Sequence, residues 1–265
     1  KVEFIGQGSF TMDTIVKPLS GDYDIDIGVY LRGLSNDPSE WHAPEAVSQW
    51  LINALQNHTQ TSPINKTTCV RIVYKPITKD KEVAYHVDLP IYVEYKNFWD
   101  ENKTRIGFIG EKQWSEKSDP VGFTKWFIGK CQKNDKDKNQ LIRLVKYFKA
   151  WKDHRSQNSK FPSGMVLTIL LAENYYPNDR DDLAFRETIR KAYNNVYSIF
   201  FGMWGINKPV EPNNDLTEKL NSNQKKYFMK CFEDLVDDGK RAIEESDQEK
   251  AFLLWKIHYD SRFIN

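Results

Sequence analysis

Two hydrophobic periods divide the chain into two regions. In residues 1–115, apolar and polar side chains alternate in runs such as 23–31 and 82–95, which is typical of β-strands with one buried face. In residues 116–265, apolar side chains recur every three or four positions, as in 141–151, which is typical of amphipathic helices. The pattern predicts an α+β chain, with a mixed sheet and flanking helices in the first region and an all-helical second region.

Within these regions the pattern predicts individual elements. Residues 44–55 should form a helix with a proline in its first turn, and residues 67–77 should pair with 82–95 as an antiparallel hairpin. Residues 97–114 and 206–216 lack a clear period, and we interpret them as a surface excursion and a loop. The helices expected in the second region span residues 121–131, 141–151, 165–175, 181–201, 222–245 and 247–263.

Two carboxylates share one face of the strand predicted over residues 23–31. Residues two apart in an extended chain project from the same side, so Asp24 and Asp26 point one way while the isoleucines that follow each of them point into a core. Side-by-side carboxylates repel unless a cation lies between them, and Mg²⁺ prefers such oxygen ligands. Asp88, in an alternating run of its own, supplies a third carboxylate. Three such groups can hold two metal ions about 4 Å apart, an arrangement that serves phosphoryl or nucleotidyl transfer.

A glycine–serine turn lies upstream of these carboxylates. Gly8 and Ser9 follow an apolar pair, and glycine lets backbone N–H groups approach a phosphate closely while serine adds a hydroxyl. Taken alone, each feature has a simpler explanation: a common turn, solvated charges on an edge strand, and a turn residue before a proline. Their combination favours a metal site that also takes phosphate.

Composition excludes several classes of protein. Hydrophobic residues make up 40% and charged residues 28% of the 265 residues, which is typical of a soluble globular protein, and no apolar run approaches the roughly 18 residues that span a bilayer. The formal net charge of +1 does not indicate a nucleic-acid partner. Cys69, Cys131 and Cys231 are far apart, so we expect a reducing, cytoplasmic location without disulfides or a structural zinc site. We expect a monomer, and the start of the chain just before Gly8 leaves open whether an N-terminal element is missing.

Three strings in this chain resemble the signature of a known superfamily. GQGSF at residues 6–10, DYDIDIG at 22–28 and HVDLPIY at 86–92 resemble the DNA-polymerase-β-like nucleotidyltransferases. More narrowly, they are similar to the bacterial cGAS-like nucleotidyltransferases, which make cyclic oligonucleotides, and the resemblance covers nearly the whole chain. It implies a catalytic lobe over 1–115, a helical lobe over 116–265 and an active site in the cleft between them. Further strings fit in the same order: KSDP at 117–120, KYFKAWKD at 146–153 and PSG at 162–164.

The resemblance also implies roles for individual residues. The positions that hold two Mg²⁺ ions in this family, for which Mn²⁺ can substitute, match Asp24, Asp26 and Asp88. The turn that cradles the donor triphosphate matches Gln7, Gly8, Ser9 and Phe10. Further nucleotide contacts match Arg71, Ser118, Lys149, Ser163 and, by a looser alignment, Asp215.

Several of these residues have purely structural explanations that the sequence leaves open. Arg71 could pair with Glu82 or Asp88 across the predicted hairpin. Lys149 lies on a helix rich in basic residues and could belong to a solvated face. Ser163 could be a helix N-cap, a role compatible with an anion contact.

The resemblance implies a Mg²⁺-dependent nucleotidyltransferase that joins nucleoside triphosphates, ATP and GTP by default, and cyclises them into a di- or oligonucleotide messenger. In bacteria such enzymes serve anti-phage signalling through a separate effector protein that the product activates. No membrane and no obligatory nucleic acid are expected. Two alternatives stay open: a transferase of the same fold that makes linear oligonucleotides or modifies RNA or protein, and a catalytically inactive nucleotide-binding module. Base choice, linkage, ring size and any need for an activating partner are not readable from the sequence.

Overall fold

The computed structural model describes residues 1–19, 23–74, 85–116, 118–134, 136–199 and 205–259. The chain forms two compact units, Lys1–Thr124 and Lys125–Asn265. A functional boundary after residue 115 stays a prediction. The parts of the predicted strands and helices that fall in residues 75–84, 200–201 and 260–263 lie outside the described residues. Within the described residues, no helix combines the length and the apolar character needed to cross a bilayer.

Seven strands of the first unit pair into one mixed sheet. The main path has the order β1-β2-β5-β4-β3, and β6 extends the sheet from the second half of β5 while β7 pairs with β6. β2 runs parallel to β5, whereas β1 and β4 run antiparallel to their neighbours. The strands are β1 (Val2–Gln7), β2 (Tyr23–Arg32), β3 (Ile64–Asn65), β4 (Cys69–Tyr74), β5 (Tyr85–Lys96), β6 (Asn102–Phe108) and β7 (Gln113–Ser115).

Helix α2 covers one face of this sheet. A short helix α1 (Gly8–Thr11) follows β1, a 3₁₀ turn spans Pro38–Glu40, and α2 (Pro44–Leu55) confirms the helix predicted there. Apolar side chains of α2 pack on one face against residues that alternate along β2, β4 and β5, among them Val29, Val70, Ile72 and Leu89. The alternation that fills this core turns the intervening residues, the predicted carboxylates included, to the opposite face.

The second unit is built from helices around an aromatic core. The helices are α3 (Pro120–Cys131), which begins in the first unit, α4 (Gln140–Arg155), α5 (Gly164–Asn174), α6 (Asp181–Ile199), α7 (Ser222–Glu244) and α8 (Gln248–Lys256), with a 3₁₀ turn at Ser156–Asn158. Phe148 and Trp151 of α4 stack on each other with ring centroids 4.9 Å apart, and both contact Phe232 of α7. The strong apolar stripe predicted for α4 is therefore confirmed as core.

Three element predictions were wrong. The excursion predicted at 97–114 contains β6 and β7, whose outward side chains are polar and hide the period-two pattern. The loop predicted at 206–216 contains a small hairpin of β8 (Asn207–Lys208) and β9 (Glu211–Asp215), which rests on backbone pairing and leaves no hydrophobic period to detect. Helix α8 ends at Lys256, earlier than its pattern indicated.

Candidate active site

One residue from each of four neighbouring strands forms a row across the sheet. Gln7 of β1 lies opposite Asp26 of β2, Asp26 lies beside Asp88 of β5, and Asp88 lies opposite Arg71 of β4. Asp24 precedes Asp26 by two residues and therefore shares its face. The strand register thus places the three predicted acidic residues and the predicted arginine on one face of the sheet.

Arg71 holds two of the three carboxylates. Its Nε donates to Asp88 Oδ1 at 2.7 Å and its Nη2 donates to Asp88 Oδ2 at 2.8 Å, a two-pronged geometry. The same Nη2 lies 3.5 Å from Asp24 Oδ1. Of the alternatives left open for Arg71, pairing with Asp88 across the strands is confirmed. Asp88 is largely enclosed, with 15% of its side chain exposed, whereas Asp24 is 62% exposed.

Asp26 lies in a position that is unfavourable for a negative charge. Burial, and then the neighbouring carboxylates of Asp88 and Asp24, raise the pKa of Asp26 to about 6, while Arg71 acts in the opposite direction. Repulsion between side-by-side carboxylates, inferred from the sequence, is therefore a property of this face. A cation placed among them would relieve it.

The glycine–serine turn touches this carboxylate directly. Gly8 has a φ of +70°, and a Cβ at this position would overlap Asp26 Oδ2. Glycine is required on both counts, because other residues are strained at positive φ and would collide here. The turn continues as α1, and the buried Thr14 closes it by donating its backbone N–H to Ser9 O at 2.8 Å. Phe10 projects outward with 57% of its surface exposed.

Gln7 differs from the other turn residues, because its side chain is buried. Its Nε2 donates to the hydroxyl of Tyr92 at 3.1 Å, and Tyr92 stacks on Tyr30 with ring centroids 4.7 Å apart. This aromatic layer supports β1 where it leads into Gly8, so Gln7 can offer a phosphate only its backbone. Sequence reasoning missed Tyr92, although it lies two and four residues beyond Pro90 and Asp88 on one face of β5.

The oxygen atoms of the three carboxylates are ligands of the kind that a hard divalent cation prefers. No group of three or more histidine, cysteine, aspartate or glutamate side chains within the described ranges is gathered closely enough to hold a metal ion. The three carboxylates nevertheless share a face, carry the oxygen ligands that Mg²⁺ prefers, and repel one another. Their chemistry fits Mg²⁺, whereas Asp88 is turned towards Arg71. Metal ligation by Asp24, Asp26 and Asp88 stays a prediction.

Two predicted phosphate contacts meet in the second unit. Lys149 is buried, with 8% exposed, and lies against the start of α5, where a Cβ on Gly164 would be 4.0 Å from its Nζ. Burial, and then the positive charges of Lys152 and Lys146, lower the pKa of Lys149 to about 7. Ser163 is the exposed N-cap of α5, and its Oγ accepts the N–H of Val166 at 3.5 Å. A buried lysine therefore lies beside a helix N-terminus, a combination that attracts anions.

The two remaining predicted nucleotide contacts are Ser118, which precedes a helix, and Asp215, which ends a strand. Ser118 is half-buried and precedes α3, whose N-terminal Gly122 N–H is capped by Asp119 Oδ1 at 2.7 Å. Asp215 Oδ1 accepts the N–H groups of Ile206 and Thr217 and the hydroxyl of Thr217. Asp215 thus fastens the β8–β9 hairpin, and its reading of a base edge stays a prediction.

Comparison with known proteins gives the class to which this sheet and turn belong. Residues 2–92 match the family described as cyclic GMP-AMP synthase DncV-like, nucleotidyltransferase domain. A cyclic GMP-AMP synthase of Escherichia albertii is 31% identical over 194 residues, covering 69% of this chain and 40% of the relative. A cyclic AMP-AMP-AMP synthase of an Acinetobacter strain is 27% identical over 150 residues, covering 55% of this chain and 43% of the relative. The aligned part of the chain thus spans less than half the length of these curated relatives.

Solved structures show the same fold. The crystal structure of Vibrio cholerae DncV, a cyclic AMP-GMP synthase, has a TM-score of 0.74 at 21% identity, covering 100% of this chain and 70% of that chain. Bradyrhizobium diazoefficiens CdnG in complex with GTP has a TM-score of 0.69 at 14% identity, covering 94% of this chain and 81% of that chain. The α+β class with a helical second part is confirmed.

Over residues 2–92, the sheet and the glycine–serine turn are therefore similar to the nucleotidyltransferase domain of DncV-like proteins.

Proposed function

We propose that this chain is the nucleotide-joining part of a bacterial cyclic-oligonucleotide synthase. It takes two nucleoside triphosphates, ATP and GTP by default, links them with loss of pyrophosphate, and closes the linear product into a ring. The observation that carries this proposal is the strand register that places Asp26 and Asp88 side by side, with Gly8 against the first and Arg71 on the second. A nucleotide-binding module without chemistry gains nothing from carboxylates that repel each other.

The residues of the site have separate tasks in this proposal. The backbone of the turn from Gln7 to Phe10 binds the donor triphosphate, with Ser9 adding its hydroxyl. Arg71, Lys149 and Ser163 supply charge and hydrogen bonds to phosphate oxygens, and Ser118 and Asp215 contact the nucleotides. Most of the rate comes from positioning and electrostatic stabilisation, as in phosphoryl transfer generally.

The carboxylates bind the metal and handle the proton. Asp24, Asp26 and Asp88 would hold two Mg²⁺ ions, which, when bound, stabilise the attacking and leaving oxygens of the displacement. The attacking 2′- or 3′-hydroxyl gives its proton to Asp88 as the local base, and its oxygen attacks the α-phosphorus. The linear dinucleotide must then bind again with its remaining triphosphate over Gly8 and Ser9. Its own free hydroxyl attacks the α-phosphorus of that triphosphate, a second pyrophosphate leaves, and the ring closes.

The two curated relatives bear on the size of the product. Their names give a cyclic dinucleotide and a cyclic trinucleotide, so both ring sizes are candidates for this chain. We further propose a cytoplasmic, monomeric protein in anti-phage signalling, whose product activates a separate effector.

Product formation tests the proposal. The protein is incubated with labelled ATP and GTP in Mg²⁺ or Mn²⁺, treated with phosphatase, and analysed by mass spectrometry and nuclease digestion. We expect phosphatase-resistant products from the wild type and none from the double variant Asp24→Asn/Asp26→Asn.

Other outcomes favour the alternatives. Products that stay phosphatase-sensitive, or that require an added polymer, would indicate a transferase for linear products. Nucleotide binding without pyrophosphate release would indicate an inactive module. Because the chain spans less than half the length of the curated relatives, the assay is also run on the full-length natural protein.

A further inference from the structure

The arginine at the site occupies carboxylates that a metal ion would need. Arg71 engages both oxygens of Asp88 and reaches Asp24 with the same nitrogen that contacts Asp88 Oδ2. These are two of the three predicted metal ligands. Arg71 is only 24% exposed, so the guanidinium lies within the site rather than on its rim.

The charges explain why the arginine is held there. Asp24, Asp26 and Asp88 lie on one face of the sheet, and Arg71 forms ion pairs with Asp24 and Asp88. A guanidinium with a fixed fork of donors is suited to a carboxylate pair in this way. In the state that the structure describes, Arg71 is therefore the internal counter-cation of the acidic face.

A divalent ion among the same carboxylates competes with this arrangement. A metal ion and a guanidinium repel each other across Asp88, and an oxygen that ligates the ion has fewer lone pairs left for Arg71. A triphosphate removes the conflict, because its oxygens accept the same two-pronged hydrogen bonds from arginine. Nucleotide and metal can then bind together, whereas metal alone must compete with the ion pair between Arg71 and Asp88.

We propose that Arg71 is an exchange partner that couples the two ligands: it blocks the carboxylates to bare divalent ions and releases Asp88 when a nucleoside triphosphate arrives. The inference rests on the proposed function and deepens it by giving the order in which the site assembles. Because coupling is reciprocal, the nucleotide also binds more tightly when the metal is present.

Binding of Mn²⁺ without nucleotide tests the proposal, measured by the electron paramagnetic resonance signal of free Mn²⁺. We expect Arg71→Gln to bind Mn²⁺ alone about tenfold more tightly than the wild type, within the usual range of such coupling. The same variant should bind a non-hydrolysable ATP analogue about tenfold more weakly, and the metal should raise its nucleotide affinity by a smaller factor than in the wild type. These opposite signs separate an exchange partner from a simple nucleotide contact.

Two further variants keep the test decisive. Arg32→Gln removes an arginine that pairs with Glu3 and Glu94 elsewhere on the sheet, and it should leave Mn²⁺ binding unchanged. Arg71→Lys keeps the positive charge but loses the two-pronged hydrogen bonding. It replaces Arg71→Gln in the test if that variant does not fold, and its affinity for Mn²⁺ should lie between those of the wild type and Arg71→Gln. Mn²⁺ binding that is unchanged or weaker in the folded Arg71 variants would overturn the proposal. That result would leave the proposed function unaffected, because the proposed function is contradicted only if the wild type forms no product.

Discussion

Each of the two units of the molecule contains a charged group whose pKa is shifted towards its neutral form, an acid in the first unit and a lysine in the second. In the first unit, burial and neighbouring acids raise the pKa of Asp26 to about 6. In the second unit, burial and neighbouring lysines lower the pKa of Lys149 to about 7. Each group has like-charged neighbours, Asp24 and Asp88 in one case and Lys146 and Lys152 in the other.

The difference in sign indicates what each unit is prepared to bind. A cluster of carboxylates gains from a cation, and a buried lysine beside a helix N-terminus gains from an anion. Each cluster costs stability in the free protein, which is the usual relation between a binding site and its fold.

Replacing Asp26 should have the largest effect, and it should lower activity while raising stability. We expect Asp26→Asn to lower product formation at least about a thousandfold, because a metal-binding carboxylate is lost. The nucleotide-free protein should become about 1–3 kcal/mol more stable, because the raised pKa of Asp26 reports an unfavourable charge. Product assays and urea unfolding at pH 7.5 measure the two effects. Asp100→Asn, at an exposed acid in the turn between β5 and β6, is the control and should change neither.

Filling the space beside Asp26 should have the next largest effect. Gly8→Ala combines positive φ with a collision against the carboxylate, so we expect a loss of about 2–4 kcal/mol and roughly a hundredfold drop in activity. Gly33→Ala is a matched control, because Gly33 has a φ of +73° and nothing within 4 Å of the added Cβ. It should cost only the backbone term of about 1–2 kcal/mol. Equal losses in both variants would show that the contact with Asp26 does not matter.

The buried lysine should make stability depend on alkaline pH. The pKa of Lys149 is about 7 in the folded protein, below its ordinary value of 10.5, so between these values the unfolded chain binds more protons. Stability should therefore rise from pH 7 towards pH 10, by roughly 2–4 kcal/mol relative to Lys149→Met, which lacks the titrating group. Urea unfolding of both proteins at several pH values measures the difference. Parallel pH profiles would contradict the burial of this charge.

The cap beside that lysine should have the smallest effect. Ser163→Ala removes the N-cap of α5 and should cost about 1 kcal/mol. Ser163→Asp keeps an acceptor at the cap but repels phosphate, so its stability should be retained while affinity for a triphosphate falls. Asn221→Ala, at the N-cap of α7, is the control and should lower stability without changing nucleotide affinity. Unchanged triphosphate affinity in Ser163→Asp would reduce Ser163 to a structural cap.

The alternation of β2 and β5 made the carboxylate face predictable, because a period of two leaves no choice of side once the isoleucines and valines face the core. The helical stripes were predictable for the same reason. The buried direction of the Gln7 side chain was not, because it depends on a contact with Tyr92 of β5, and pairing of Arg71 with Asp88 could be given only as one of two alternatives. β6 and β7 escaped prediction because their exposed faces are polar, and the β8–β9 hairpin because backbone hydrogen bonds leave no trace in hydrophobicity.

Calorimetric titration with a non-hydrolysable ATP analogue tests most directly whether the carboxylates receive a metal-bound triphosphate. We predict that binding requires Mg²⁺ and is lost in Asp24→Asn/Asp26→Asn, although the variant stays folded. The same affinity in the absence of the ion, or in the variant, would contradict this assignment of the site.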